Sequence, residues 1–195
     1  MIPICYKWPA RSVALDYGHR PLAIEVPAEA QVLWPPPPPR PEDTLAGLIA
    51  TALATPVAAS RLRGLLKSGS RVTVIVSDPT RAEPRSEILR ALLAEIEVDI
   101  QLTIAVANGT HAPGDIHALE LPDDVIAQAQ LRNHDSTNEA LFADVGTTRR
   151  GTRVRFPHWL FESDLIVLTG RIRPHYFAGF GAGAQDLCRL RVERH

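Results

Sequence analysis

Two cysteines are all this chain contains, Cys5 and Cys188, near opposite ends and without the paired spacing of a metal site. Charge of one sign is missing as well. With 21 basic and 22 acidic residues the formal net charge is -1, so no global field steers the chain toward nucleic acid or an anionic membrane. Any anion site must therefore be local. The longest apolar runs, such as Leu165 to Thr169 and Ile104 to Ala107, fall far short of the roughly 20 residues that span a bilayer. A signal peptide's charged start and apolar run are also lacking, and together with the sparse cysteines this sets the expectation of a cytoplasmic protein in a reducing compartment. There is no internal repeat.

What the sequence does have is enough apolar residue to build a core: 45% hydrophobic over 195 residues, suited to one domain or to one domain with a small appendage. Before the prolines, two short alternating segments around Ser12 to Leu15 and Leu22 to Val26 flank Asp16-Tyr17-Gly18-His19, which predicts a β-hairpin over 1–34. Residues 35–41 carry six prolines and Arg40 and read as a polyproline spacer, with a ligand for a proline-reading domain as the alternative. Asp43-Thr44 caps a helix running to about Ala54, and a second helix is expected over Ala58 to Leu66. Arg71 to Ser77 is β-branched and nearly continuous in apolar character, as a strand buried on both faces should be. A helix follows over Pro84 to Ile96, a strand over Gln101 to Ala107 and a short helix over Ile116 to Glu120. Val125 to Arg132 fits helix or strand; Thr152 to Phe156 alternates; Asp164 to Thr169 is another buried strand. Strands separated by helices predict an α/β fold with a doubly wound, largely parallel sheet.

In such sheets ligands collect beyond the carboxyl ends of the strands, so the residues after each apolar run are the informative ones. Those are Ser77-Asp-Pro-Thr-Arg-Ala-Glu-Pro84, Asn108-Gly-Thr-His111, and Gly170-Arg-Ile-Arg-Pro-His175 with the glycine-rich stretch to Gln185. Each has an ordinary explanation: a helix-capping turn, a glycine needed for positive φ, a surface histidine, or Gly and Ala serving close packing. Their coincidence argues otherwise. Arg81, Arg171 and Arg173 bring guanidinium groups to loops that also offer backbone N–H donors and hydroxyls, the usual grip on phosphate or carboxylate. His111 and His175 add imidazoles, whose reference pKa of about 6.5 suits acid–base work at neutral pH.

Four separated segments, Ser-Asp-Pro-Thr-Arg at 77–81, Ala-Asn-Gly-Thr-His at 107–111, Asn-His-Asp at 133–135 and Gly-Arg-Ile-Arg-Pro-His-Tyr-Phe-Ala-Gly-Phe-Gly-Ala-Gly-Ala at 170–184, occur in one order and spacing. Over Tyr17 to Ala184 they resemble the N-terminal domain of the nickel-pincer lactate racemase family. The resemblance implies a nickel-bearing pyridine mononucleotide held between two α/β domains, with a 2-hydroxy acid as substrate. A histidine takes the hydroxyl proton while hydride passes from C2 to the cofactor through a pyruvate intermediate and returns to either face. By resemblance His111 and His175 are the two bases and Arg81 orients the substrate. Asp78, Thr80, Gly179, Gly181, Gly183 and Gln185 then surround the nucleotide. No nucleic-acid or membrane partner is implied.

Two departures limit what carries over. Where the family has the lysine bonded covalently to the cofactor, this chain has Gln185, and an amide cannot make that link. No nickel ligand can be assigned, so no metal site is expected here. The match stops at Ala184, which divides the racemase-like domain, 42–184, from a divergent tail, 185–195. One inserted base would turn Ala-Lys codons GCC-AAG into GCC-CAA-G, producing Ala184-Gln185-Asp186 and leaving a C-terminal domain in a neighbouring reading frame. Three readings stand at this point: a truncated or degenerate racemase domain inactive by itself, a stand-alone nucleotide- or anion-binding regulatory module, and half of a racemase completed by a partner chain. Whether the chain is itself an enzyme is left open.

Overall fold

The computed structural model describes residues 9–33, 44–109, 111–175, 179–181, 183, 187 and 190. The chain divides into two units, Met1–Glu42 and Asp43–His195. In the first, β1 (Ala10–Tyr17) and β2 (Arg20–Pro27) pair antiparallel from Ala10 opposite Pro27 to Tyr17 opposite Arg20. Gly18 takes φ +60° in the two-residue turn, a conformation that glycine adopts without a Cβ penalty. The strands extend further than the alternating segments alone suggest, because ladder bonds continue past the apolar residues. The proline spacer lies outside the described residues.

The second unit opens with α1 (Leu45–Ala54), whose N-cap Thr44 accepts from the Gly47 N–H through its hydroxyl. The expected second helix contracts to α2 (Leu62–Leu65), and Ala58 upstream has φ +51°, incompatible with continuing a right-handed helix. Then come β3 (Ser70–Ser77), α3 (Arg85–Ala94), β4 (Ile100–Ala107), α4 (Asp123–Ile126) and β5 (Ala129–Asn133). The ambiguous segment from Val125 to Arg132 thus splits between a helix end and a strand. Before α4, Ile116–Leu119 forms a 3-10 turn that Glu120 ends in the left-handed region. A hairpin of β6 (Phe142–Thr147) and β7 (Arg153–Pro157), and a 3-10 segment over His158–Glu162, connect β5 to β8 (Leu165–Leu168). The doubly wound pattern therefore has a hairpin and a 3-10 segment where its last crossover helix would be. Finally β9 (Arg173–His175) pairs antiparallel with β10 (Gly179–Gly181), a hairpin inside what reads in sequence as a glycine-rich loop.

The four-stranded sheet has the order β5-β4-β3-β8, all parallel. Because side chains alternate across a strand, the even positions Val72, Val74, Val76, Leu102, Ile104 and Val106 form one core with Leu89 and Leu92 of α3. The odd positions Ile75, Ala105 and Ala107 form another with Leu160 and Leu190. Both faces of β3 are thus covered, which is why its sequence is apolar without alternation. The parallel register sets Ser77 opposite Ala107 and Ile75 opposite Leu168, so the loops after β3, β4 and β8 leave from the same edge. Among the described residues no helix is long and apolar enough to cross a membrane.

Ile75 is fully buried in the smaller core. Truncation to alanine in such a site costs about 2–5 kcal/mol. Urea unfolding of Ile75→Ala should show a loss in that range with the slope unchanged; a loss under about 1 kcal/mol would contradict the packing described.

Candidate functional site at the carboxyl edge of the sheet

The sheet runs outward from β3 to β4 and β5, then resumes with β8 on the other side of β3. The crevice between the ends of β3 and β8 is therefore the topological switch point, where open α/β sheets bind ligands. The loop after β3 begins with Asp78, 2% exposed. Its Oδ1 accepts from the Thr80 N–H at 2.9 Å and from the Thr80 hydroxyl, and the Arg81 N–H donates to the Asp78 carbonyl at 3.1 Å. This is an Asx-type turn, which folds the loop back on itself and explains why Asp-Pro-Thr follows the strand. Buried Arg85, at the first position of α3, donates through Nη2 to the carbonyls of Asp78 and Arg81, both at 2.6 Å.

The second oxygen of Asp78 joins two of the predicted residues. Oδ2 lies 3.7 Å from Arg81 Nε and 3.7 Å from His111 Nδ1. The Asp78 carboxylate thus faces the Nδ1 edge of the imidazole. The His111 side chain is 56% exposed, so the ring reaches solvent. His111 is set by its own turn: Gly109 has φ +65°, and the His111 N–H donates to the Asn108 carbonyl at 3.1 Å. Asn108 is buried, and its Nδ2 donates to Asn133 Oδ1 and to the His134 carbonyl, each at 2.7 Å, which pins the β4 loop to the end of β5.

The third loop approaches the first through the Arg171 N–H, which donates to Glu83 Oε1 at 3.2 Å. Arg171 and Arg173 are exposed, and His175 is half-buried at the end of β9. Gly181 is buried; Gly179 has φ +76°. A Cβ on Gly183 would sit 2.9 Å from the Leu168 Cβ, so close packing alone demands glycine there. Gln185 lies outside the described residues, as does Thr110. Asp78, Thr80, Arg81 and His111 are thus assembled around one carboxylate, whereas His175 stands on a separate hairpin. Among the described residues no group of three His, Cys, Asp or Glu side chains could hold a metal. An open polar cavity of about 150 Å³ lined by Arg71, Thr73, Gln101, Thr103, Gln130 and Trp159 lies toward the amino ends of the strands and contains none of these residues.

Sequence reasoning assigns no role to Glu83, Arg85, Asn108 or His134. The first two follow Arg81 as a charged pair flanking Pro84, a placement equally typical of a solvated helix start. His134 was visible only within the Asn-His-Asp segment. It is 2% exposed, neither ring nitrogen has a hydrogen-bond partner among the described residues, and its ring meets Phe142 edge-on at 5.5 Å. Burial lowers its pKa to about 4, and nearby Asp135 only partly offsets this.

Residues 17–188 match the lactate racemase N-terminal domain family. The chain belongs to that family. It is 30% identical over 145 residues to a lactate racemase of Thermoanaerobacterium thermosaccharolyticum, a match covering 72% of this chain and 34% of the relative. A lactate racemase of Lactiplantibacillus plantarum is 27% identical over 141 residues, covering 70% and 33% respectively. The structure of the lactate racemase apoprotein from T. thermosaccharolyticum superposes with a TM-score of 0.76 at 26% identity, over 93% of this chain and 44% of that one. The chain therefore spans about a third of the length of the curated relatives it matches.

The buried His134 generates a pH prediction. Its folded pKa, about 4, lies below the unfolded value of about 6.5, so the unfolded state takes up the extra proton first and stability falls as pH drops between those values. The urea midpoint should decline from pH 7.5 to 5.0, and His134→Phe should flatten that decline. An equal decline in the variant would assign it to other groups.

Proposed function

We propose that this chain forms the N-terminal side of a racemase cleft for a 2-hydroxy acid, in which His111 and His175 exchange the substrate's hydroxyl proton and Arg81 pairs with its carboxylate. The observation that carries this reading is the Asp78 carboxylate, 3.7 Å from both Arg81 Nε and His111 Nδ1, at the switch point of a sheet whose family is that of lactate racemases. An imidazole oriented by a carboxylate, beside a guanidinium, suits a substrate with an acidic hydroxyl next to a carboxylate. Two bases suit a racemase because the two enantiomers present the hydroxyl from different directions, and His175 is assigned the second role on the strength of its match to the family motif.

The cofactor implied by the family fits only in part. Thr80, in the turn that Asp78 holds, and the glycine-bearing segment at Gly179, Gly181 and Gly183 offer donors and close backbone approach suited to a nucleotide phosphate. Nickel finds no three-ligand group among the described residues, and position 185 carries an amide in place of a linking amine. We therefore assign no hydride step to this chain. The same departures favour a second reading, an anion- or nucleotide-binding module that uses these loops without turnover. Completion of the cleft by another polypeptide, whether encoded in a neighbouring frame or supplied as a partner chain, would restore the first.

Two measurements test this. Addition of L-lactate, D-lactate or inorganic phosphate to the 195-residue chain should shift the His111 ring and Thr80 amide resonances. Arg81→Ala should weaken that response about 10-fold or more, the loss expected of a charge-assisted bond of roughly 1.5–3 kcal/mol. No response to any of the three would overturn the reading. Supplied with the nickel nucleotide, the same chain should show no lactate racemisation, and measurable turnover would overturn its assignment as half a cleft.

A further inference from the structure

Glu83 belongs to none of the motifs that carry the family resemblance, yet it is the side chain that joins the two loops of the switch point. Its side chain is 5% exposed. Oε1 accepts from the Ser77 hydroxyl at 2.9 Å and from the Arg171 backbone N–H at 3.2 Å. Ser77 is the last residue of β3, and Arg171 follows β8, the strand paired with β3 on the far side from β4. One buried oxygen thus spans the crevice.

The other oxygen explains why a charged residue is needed. Oε2 is buried with no hydrogen-bond partner among the described residues and lies 4.0 Å from Arg85 Nε, which is likewise buried without one among them. Arg85 is the group that holds the carbonyls of Asp78 and Arg81 through Nη2. A buried carboxylate is costly unless compensated, and here its compensating charge is the same guanidinium that shapes the Asp78–Arg81 turn. Moving Glu83 therefore disturbs both loops together: the turn presenting Thr80 and Arg81, and the segment presenting Arg171 and Arg173.

We propose that Glu83 is a positioning residue that couples these two loops into a single anion-binding unit, so that a ligand held at Thr80 and Arg81 is registered at the Arg171 amide. The ligand half of this proposal rests on the proposed function above; the tie itself does not. Amide hydrogen exchange and phosphate titration of the full chain test the two halves separately. In Glu83→Leu the Arg171 amide, deprived of its acceptor, should exchange about 2- to 10-fold faster, as loss of one ordinary hydrogen bond implies, while amides of β4 and β5 keep their protection. Glu83→Gln retains a carbonyl oxygen and should restore most of the protection. Ser77→Ala keeps the carboxylate and removes one donor; it should fold even where Glu83→Leu does not, and should leave Arg171 protected. With phosphate, the Arg171 amide should shift in the wild type and in Glu83→Gln but not in Glu83→Leu. Unchanged Arg171 exchange in Glu83→Leu, or exchange in Glu83→Gln as fast as in Glu83→Leu, overturns the tie. A wild type whose Arg171 amide is protected but insensitive to phosphate and to both lactates overturns the ligand half and the proposed function, and leaves the tie standing.

Discussion

Strand β3 is hydrogen-bonded along both edges and covered on both faces, and each contact removes freedom from the loop that follows Ser77. The position of Asp78 is therefore fixed by the sheet before any of its polar partners is considered. Buried at the end of an apolar strand, its carboxylate must be compensated locally, and Thr80, Arg81 and His111 surround it for that reason. The same turn that satisfies a buried charge thereby sets an imidazole and a guanidinium at an exposed edge. Structural necessity and a chemically useful arrangement are one geometry here.

The parts of the fold legible in the sequence were those governed by a local rule. An apolar run of β-branched residues identified β3, Thr44 marked the start of α1, and the order of strands and helices gave the parallel sheet. What escaped depended on partners distant in sequence. Strand β6 is mostly exposed and has little apolar pattern; it exists because β7 pairs with it across a bulge between Asp144 and Gly146. Leu187 and Leu190, within a tail that shows no helical stripe, pack into the core beneath Ile75 and Leu160. A spacing of three residues supplies too little periodicity to announce that role.

The site divides in the same way. Residues standing directly after a strand could be named, because topology alone sends them to one edge. What Glu83, Arg85 and Asn108 do there could not be read, although Asn108 follows β4 directly, because their roles consist of contacts between loops: an acceptor for a distant backbone N–H, a donor to two carbonyls, an amide across to β5. Nothing in their immediate sequence distinguishes them from polar residues facing solvent. The glycine-rich segment shows the converse hazard. Gly183 matches a motif associated with a nucleotide, yet the Leu168 side chain already forbids a Cβ at that position. A motif glycine can persist for packing alone, so it testifies less to a cofactor than Gln185 testifies against a covalent one.

Charge at this edge narrows what kind of ligand it favours. Asp78 and Glu83 carry two negative charges; Arg81 and Arg85 carry two positive ones, and all four lie within ion-pair range of a member of the set. Their sum is zero. An anion arriving at the crevice thus meets an Arg81 guanidinium that already faces a carboxylate, and must share it. Positive charge with no ion pair among the described residues comes from Arg171 and Arg173, exposed on the segment after β8. On the function proposed above, attraction from bulk solvent and final orientation would be separate tasks: the exposed arginines would draw an anion toward the edge in a manner that salt screens, while the Asp78–Arg81–His111 cluster would orient it over distances too short to be screened. Exposed arginines alone do not fix geometry, and a charge-balanced cluster does not draw charge from a distance, so on that reading an anion would need both loops together.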